Sequence, residues 1–503
     1  MKKTLSLLLA LLMLLPLIAS CGAETKPGAD TAAANDAGNV QTAAADTEPT
    51  ETDRSQYKDS LPDNLDFDGY KLRFLHRNKM EELAIEVIAP ETTGDIVNDA
   101  IYERGLSIEE RLNVSLTSIP ASDDIHSGAA IMSLVRKSVL AGSDEYDAAF
   151  NHMSQNTPLA GEGLLLNVLD LDYLDFDQPW WAPNFMEQAT LFDKCYFLVG
   201  DASLTLIQSM YLIYYNKELY GNFFTDNLYD TVFDGGWTLD KLSEIGHTVY
   251  TDVNGDGATD VGDIYGYSTT AIRLIDALLV GADIQITARD SDNVPYFVVE
   301  DSERTYTFIE KIAALLADKT LTWRVQDSAD GETDMLVSFS EGTRLFIPFT
   351  PMGASQLRSM KDDFGVLPMP KLNEAQAAYT TSAHNGFSSI ILPITCGNPA
   401  ATAAALEAMG AESYRTVIPA YYETALKVKY SRDDETSRVL DGIRDSVKFD
   451  FAYIYNASLN TPMTQFRSLV QSDAEKAAST LASNMNNCNA KLEILLTTYK
   501  GLQ

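Results

Sequence analysis

From residue 70 onward the chain alternates between two hydrophobic periods. Residues 70–75 (YKLRFL) set apolar side chains at every second position, the period of a strand. Residues 96–112 carry them at helical spacing, 114–119 return to a strand, 129–140 to a helix, and 146–150 to a short strand. Strands separated by helices imply βαβ crossovers and a parallel sheet. Ligands of such sheets lie beyond the carboxyl ends of the strands. Those ends are His76-Arg77-Asn78 and Asn151-His152-Met153.

A second α/β region follows Asp201. Its markers are an apolar run at 210–215, a helix opening at Thr238 as N-cap, and a helix over 305–316. Strands at 344–349 and 364–370 come next, and helical periodicity returns at 400–414 and 471–499. No internal repeat is visible, which excludes a solenoid or a propeller.

The first 60 residues follow other rules. Lys2 and Lys3 precede an apolar run over 5–17, the layout of a secretory signal and too short for a stable membrane span. Leu17-Ile18-Ala19-Ser20-Cys21 resembles a bacterial lipobox, which implies acylation of Cys21 and a protein held at the outer face of a membrane. Residues 22–60 are Ala, Thr, Asp, Glu, Pro and Gly with almost no large apolar side chain. Such a segment cannot offset its conformational entropy by burial and is expected to be a disordered acidic tether.

Charge narrows the partners. Of 503 residues, 37 are Lys or Arg and 72 are Asp or Glu, a formal charge of −35, which excludes a nucleic-acid binder. It also argues against a strongly anionic ligand. The five histidines are scattered without HExxH or Cys/His spacing, so no zinc site is expected. Cys195, Cys396 and Cys488 fit neither a disulfide framework nor a metal knuckle. Free thiols are expected, with Cys195–Cys396 the pair that a single disulfide would use.

Several local patterns together resemble the lipid-anchored extracellular solute-binding proteins of bacterial ABC importers, the sugar-type family 1. They are Asp99-Ala100-Ile101-Tyr102-Glu103-Arg104 with the following Ile108 to Val114, and Ala141-Gly142-Ser143-Asp144-Glu145-Tyr146-Asp147. Further along stand Tyr214-Tyr215-Asn216-Lys217-Glu218-Leu219 with Gly236-Trp237-Thr238-Leu239, then Phe339-Ser340-Glu341-Gly342, and Gly365 to Pro370. The resemblance covers about residues 66–470. It implies a type II, two-lobe α/β clamshell of the periplasmic-binding-protein kind, closing about a hinge. Lobe one would comprise 66–198 and 388–445, and lobe two 199–387 and 446–503. The crossings would fall near 196–201 and 386–390. The resemblance implies a monomer that delivers a carbohydrate to ABC permease subunits.

The ligand candidates follow from chemistry and placement. Trp180 and Trp181 offer aromatic planes on which the CH faces of a sugar stack. Arg77, Asn78 and His152 sit at strand ends, and Asp201 lies at the expected hinge. The resemblance adds Tyr455 and Asn456 in a late aromatic segment. A separate loop, Asp252 to Asp263, places oxygen ligands at Asp252, Asn254, Asp256, Asp260 and Asp263. Gly257 follows at the turn and Ala258 supplies a carbonyl, a spacing that suits a structural Ca2+.

Two other readings stay open: a lipid-anchored glycan hydrolase, and a ligand sensor docking on a membrane kinase. A pair of carboxylates is all that a glycosidase needs. No GxSxG, SxxK, HExxH or P-loop is present, so no enzyme is expected.

Overall fold

The structure, a computed structural model, describes residues 54–270, 274–326, 328–430, 434–470 and 474–502. Residues 1–53, with the signal segment, Cys21 and most of the expected tether, lie outside the described residues. Among the described residues the strands are β1 (Tyr70–Arg77), β2 (Val114–Ala121), β3 (Ala148–His152), β4 (Leu212–Asn216), β5 (Tyr265–Thr270) and β6 (Thr287–Arg289). They continue as β7 (Pro295–Phe297), β8 (Thr322–Val325), β9 (Arg344–Phe349), β10 (Phe364–Leu367) and β11 (Ser388–Ile391).

Two mixed α/β layers result. The first sheet has the order β11-β3-β1-β2, with β1 parallel to both β2 and β3, and β11 antiparallel to β3. Helices Ile96–Leu112 and Ala129–Leu140 make the two crossovers that keep β1, β2 and β3 parallel. Leu72, Phe74 and Leu75 of β1 are fully buried, each contributing about 1.5–3 kcal/mol of burial free energy. The second sheet has the order β10-β4-β9-β5-β8; β5 is parallel to β8 and β9, while β4 runs antiparallel to both of its neighbours, β9 and β10. Both sheets are thus mixed, where the strand–helix alternation predicts parallel pairing alone.

Local signals set the helix ends. Asp95 caps Ile96–Leu112 by accepting from the N–H groups of Val97 and Asn98. Thr238 caps Leu239–Val249 through Lys241 N. After Pro399–Glu412 the backbone continues as π-helix over Ser413–Val417 and Pro419–Tyr430, beyond the predicted end at 414. The chain's close packing shows at Gly266 of β5, where an added Cβ would stand 2.1 Å from Gly246 Cα.

Three segments join the two layers. Met210 bridges Ala383 in antiparallel sense, with Tyr211 N donating to Ser382 O (2.9 Å) and His384 N to Ser209 O (2.7 Å). Thr381 adds a third strand-like segment, donating to Ser446 O (3.2 Å) and accepting from Lys448 N (2.8 Å). The paired crossing therefore lies at 209–211 and 381–384, displaced from the expected 196–201 and 386–390. Residues 196–201 instead extend the first layer, Leu198 pairing with Ile390 and Gly200 with Trp181.

The end of the expected tether is also ordered. Asp59 forms a two-pronged ion pair with Arg111 (2.6 and 2.7 Å), and Tyr57 packs edge-on against Tyr414. Cys195, Cys396 and Cys488 are all free and buried, so Cys195 and Cys396 are not bridged. Among the described residues no helix is long and apolar enough to cross a membrane.

Candidate functional site

β1, β2, β5, β8 and β9 all aim their carboxyl ends at one place, between the two layers and beside the 209–211/381–384 ladder. A cavity of about 420 Å3 lies there, within the ~300–1,000 Å3 range of small-molecule sites. Lys79 and Glu82, beyond β1, and Asp124, Ile125 and His126, beyond β2, form one wall. Leu274, Glu332, Thr333, Phe349, Thr350 and Gln356, beyond β5, β8 and β9, form the opposite one. Ser209, Tyr211 and His384 form the back.

Hydrogen bonds hold the first wall in shape. Asp123, almost fully buried, accepts from Ser127 Oγ (3.0 Å) and Ile131 N (3.0 Å), and its carbonyl accepts from Asn78 N and Lys79 N. That loop therefore carries Asp124, Ile125 and His126 into the cavity at a set height. At the back, His126 and His384 meet edge to face at 5.5 Å, and Tyr211 lies 6.3 Å from His384. Gly386 N donates to His384 Nδ1 (3.1 Å), which leaves Nε2 as the protonated nitrogen of the neutral ring. Burial drives the Tyr211 phenol well above its ordinary pKa, with Asp276 acting in the same sense, so it stays neutral.

The sequence candidates are distributed unevenly around this cavity. Arg77 is fully buried behind it, donating to Asp124 O (3.0 Å) and Ser388 Oγ (2.8 Å). His152 lies in the same layer; burial holds its imidazole well below the ordinary value, and the Arg77 charge adds to that. Both shape the wall from behind. Asn78 is exposed next to Lys79.

The remaining ligand candidates stand elsewhere. Trp180 and Trp181 are 1% and 2% exposed in the core, with Trp181 Nε1 donating to Glu407 (2.9 Å), so neither presents a free face for stacking. Asp201 holds a turn, its N–H donating to Trp180 O (2.8 Å), and burial pushes its carboxyl up to about 7. Tyr455 is fully buried, donating to Ala189 O (2.6 Å) and stacking on Phe451. Asn456 accepts from Met463 N (3.0 Å). For Trp181 and Tyr455 the reason is a partner far away in the chain, Glu407 and Ala189 respectively.

Lys79, Glu82, Asp124, His126, Glu332, Phe349 and Gln356 were not among the candidates. Those after β1 and β9 follow predicted strand ends directly, and that position was the available signal. Tyr211 and His384 had none, because the ladder that brings them to the cavity joins distant segments.

The Asp252 to Asp263 loop precedes the amino end of β5, away from the cavity. Asp252 accepts from Gly255 N (2.7 Å) and Gly257 N (2.8 Å), and Asn254 reaches Asp256 and Asp260. Asp256 accepts from Ala258 N and Asp260 from Gly262 N. Asp263, 1% exposed, accepts from Val253 N and Asp260 N. Among the described residues no group of three or more His, Cys, Asp or Glu side chains is gathered as a metal site.

No protein-family model and no curated protein matches the chain in sequence. Solved structures match it in fold. The GacH receptor of Streptomyces glaucescens, solved unliganded and with acarbose, aligns over 86% of this chain and all of its own at 14% identity and a TM-score of 0.51. The substrate-binding protein Lmo0181 from Listeria monocytogenes, in complex with cycloalternan, covers 87% of this chain and all of its own (12% identity, TM-score 0.52). The galacto-N-biose/lacto-N-biose I-binding protein of Bifidobacterium longum covers 86% of this chain and 98% of its own (11%, 0.53). The chain has the two-lobe fold of periplasmic-binding-protein type that these structures share. The cavity between its lobes occupies the cleft of that clamshell.

Proposed function

We propose that the chain is the solute-binding component of an ABC importer, capturing an extracellular sugar or oligosaccharide in the cavity between its lobes. The observation that carries this reading is the composition of the cavity at the hinge. Tyr211, Phe349 and the His126–His384 pair offer aromatic surface, while Ser209, Thr333, Thr350 and Gln356 offer hydroxyl and amide groups. A sugar needs both, flat apolar contact for its CH faces and donors and acceptors for its hydroxyls. Glu82, Asp124 and Glu332 against Lys79 make the lining acidic, which disfavours phosphorylated solutes. The carbohydrate ligands of the fold neighbours support the same class. Under this reading the protein works outside the cytoplasm, anchored through Cys21, as a monomer that hands solute to permease subunits and does no chemistry on it.

Thermal unfolding of the full chain across a panel of neutral sugars tests this. A sugar at 100 times its Kd stabilises by about 2.7 kcal/mol. One responding class, recovered unchanged by chromatography, supports capture; silence across the panel, or cleavage of a glycan, overturns it. Phe349→Ala should weaken the responding sugar by about tenfold through lost stacking.

The Asp252 to Asp263 loop is proposed as a structural Ca2+ site. Its support is the residue spacing and the lone pairs left over, because each carboxylate has about four acceptor positions and the loop N–H groups occupy few of them. Calcium should raise the unfolding temperature of the native chain and leave that of Asp252→Asn unchanged; equal shifts in both would remove the site.

A further inference from the structure

A second compartment of about 330 Å3 abuts the main cavity, and Glu82, Met352 and Ser355 line both. Its lobe-one side is acidic. Glu81, Glu82, Glu86 and Asp95 stand there, against Arg358 on the other side. Two of its lining residues also have an oxygen without a hydrogen-bond partner, Glu86 Oε2 and Gln208 Oε1. Both residues are more than nine-tenths buried, at 1% and 6% exposure.

The partners of Glu86 are asymmetric. Its Oε1 accepts from the Ser203 hydroxyl and from Thr205 Oγ1 (3.1 Å), while Oε2 accepts from nothing. Arg104 reaches only its backbone carbonyl (3.1 Å). The buried Arg77 and Arg104 guanidiniums lie close enough to offset the Glu86 charge. The charges of Glu81, Glu82 and Asp95 then face Arg358 alone within the lining. A carboxylate oxygen and an amide carbonyl are both acceptors, so what these two atoms lack is a donor. Burying an acceptor unpaired is unfavourable, and a donor arriving with a ligand removes that penalty.

We propose that this compartment is a subsite for a protonated amine, so that the captured solute is a saccharide bearing a free amino group. The proposal rests on the sugar-binding reading and narrows it. A hydroxyl would satisfy the acceptors but not the charge. An ammonium brings three donors and a positive charge together. An N-acetyl group loses the charge and a phosphate reverses it.

The test is calorimetric titration of the full chain with glucosamine-containing disaccharides in α and β linkage. Their N-acetylated counterparts and the matching glucose disaccharides serve as controls. The amino sugar should bind about tenfold tighter than either neutral partner, as one charge-assisted hydrogen bond implies. That preference should shrink as ionic strength rises from about 0.05 to about 0.5 M. Glu81→Gln with Glu86→Gln should abolish it and leave neutral-sugar affinity within about twofold. If the double variant does not fold, exposed Glu81→Gln alone and the salt dependence of the native chain give the same readout. Equal affinity for amino and neutral sugars overturns the subsite and leaves sugar capture standing. Absence of binding by every saccharide overturns the sugar reading, and the subsite with it.

Discussion

Glu407 shows how a single buried group ties stability to pH. Its carboxyl is fully buried, accepts from Trp181 Nε1 (2.9 Å) and Asp175 N (3.2 Å), and is pushed up to about 7 by burial. The folded state therefore holds a proton that the unfolded chain releases near 4.5. Its contribution is fully present below that value and is lost as pH rises through about 7. Denaturant midpoints should fall across this window, and Glu407→Gln should flatten the fall while raising stability at pH 8; an unchanged slope would discount the residue. Asp201, also pushed up to about 7, acts with the same sign. Trp181→Phe should cost about 1–3 kcal/mol by stranding the buried carboxyl, with sugar affinity unchanged. The Trp180-Trp181 pair was plain in the sequence as aromatic surface. Its fate was not, because the group that claims Trp181 lies 226 residues away.

At the scale of elements, periodicity predicted well where burial is one-sided. Helices Ile96–Leu112 and Ala129–Leu140 and strand β9 start and end where the pattern places them. The antiparallel placing of β4 and β11 was not legible, since a fully buried short strand reads alike in either direction. Nor was the close approach of β5 to helix Leu239–Val249, which depends on two glycines meeting. Gly266→Ala should destabilise by about 3 kcal/mol, because the obstacle is the Gly246 backbone, which cannot turn aside. A shift in urea midpoint with an unchanged m-value would show it; a midpoint equal to the native one would mean that the helix moves freely.

For the whole molecule, the ladder of 209–211 with 381–384 and 446–448 brings three distant segments together between the lobes, and Tyr453 braces it by donating to Ala383 O (2.8 Å). Saturating solute should close the lobes about this ladder. Small-angle scattering should then show a smaller radius of gyration with ligand. Tyr453→Phe, lacking the brace, should change the affinity and the extent of compaction together. Identical scattering with and without bound solute would refute hinge closure.

The sequence by itself determined the alternation of strands and helices, the two α/β regions, the acidic charge and the loop after β1. All of these follow from which positions along a short stretch are apolar or charged. Only the tertiary structure decided which candidates face the cleft. It put Trp180, Trp181, Tyr455 and Asn456 in the interior, set Arg77 and His152 behind the wall, and brought His126, Tyr211 and His384 together. Local periodicity says which face of an element is covered, whereas the identity of what covers it depends on segments 170 residues apart or more, such as Tyr211 and Thr381.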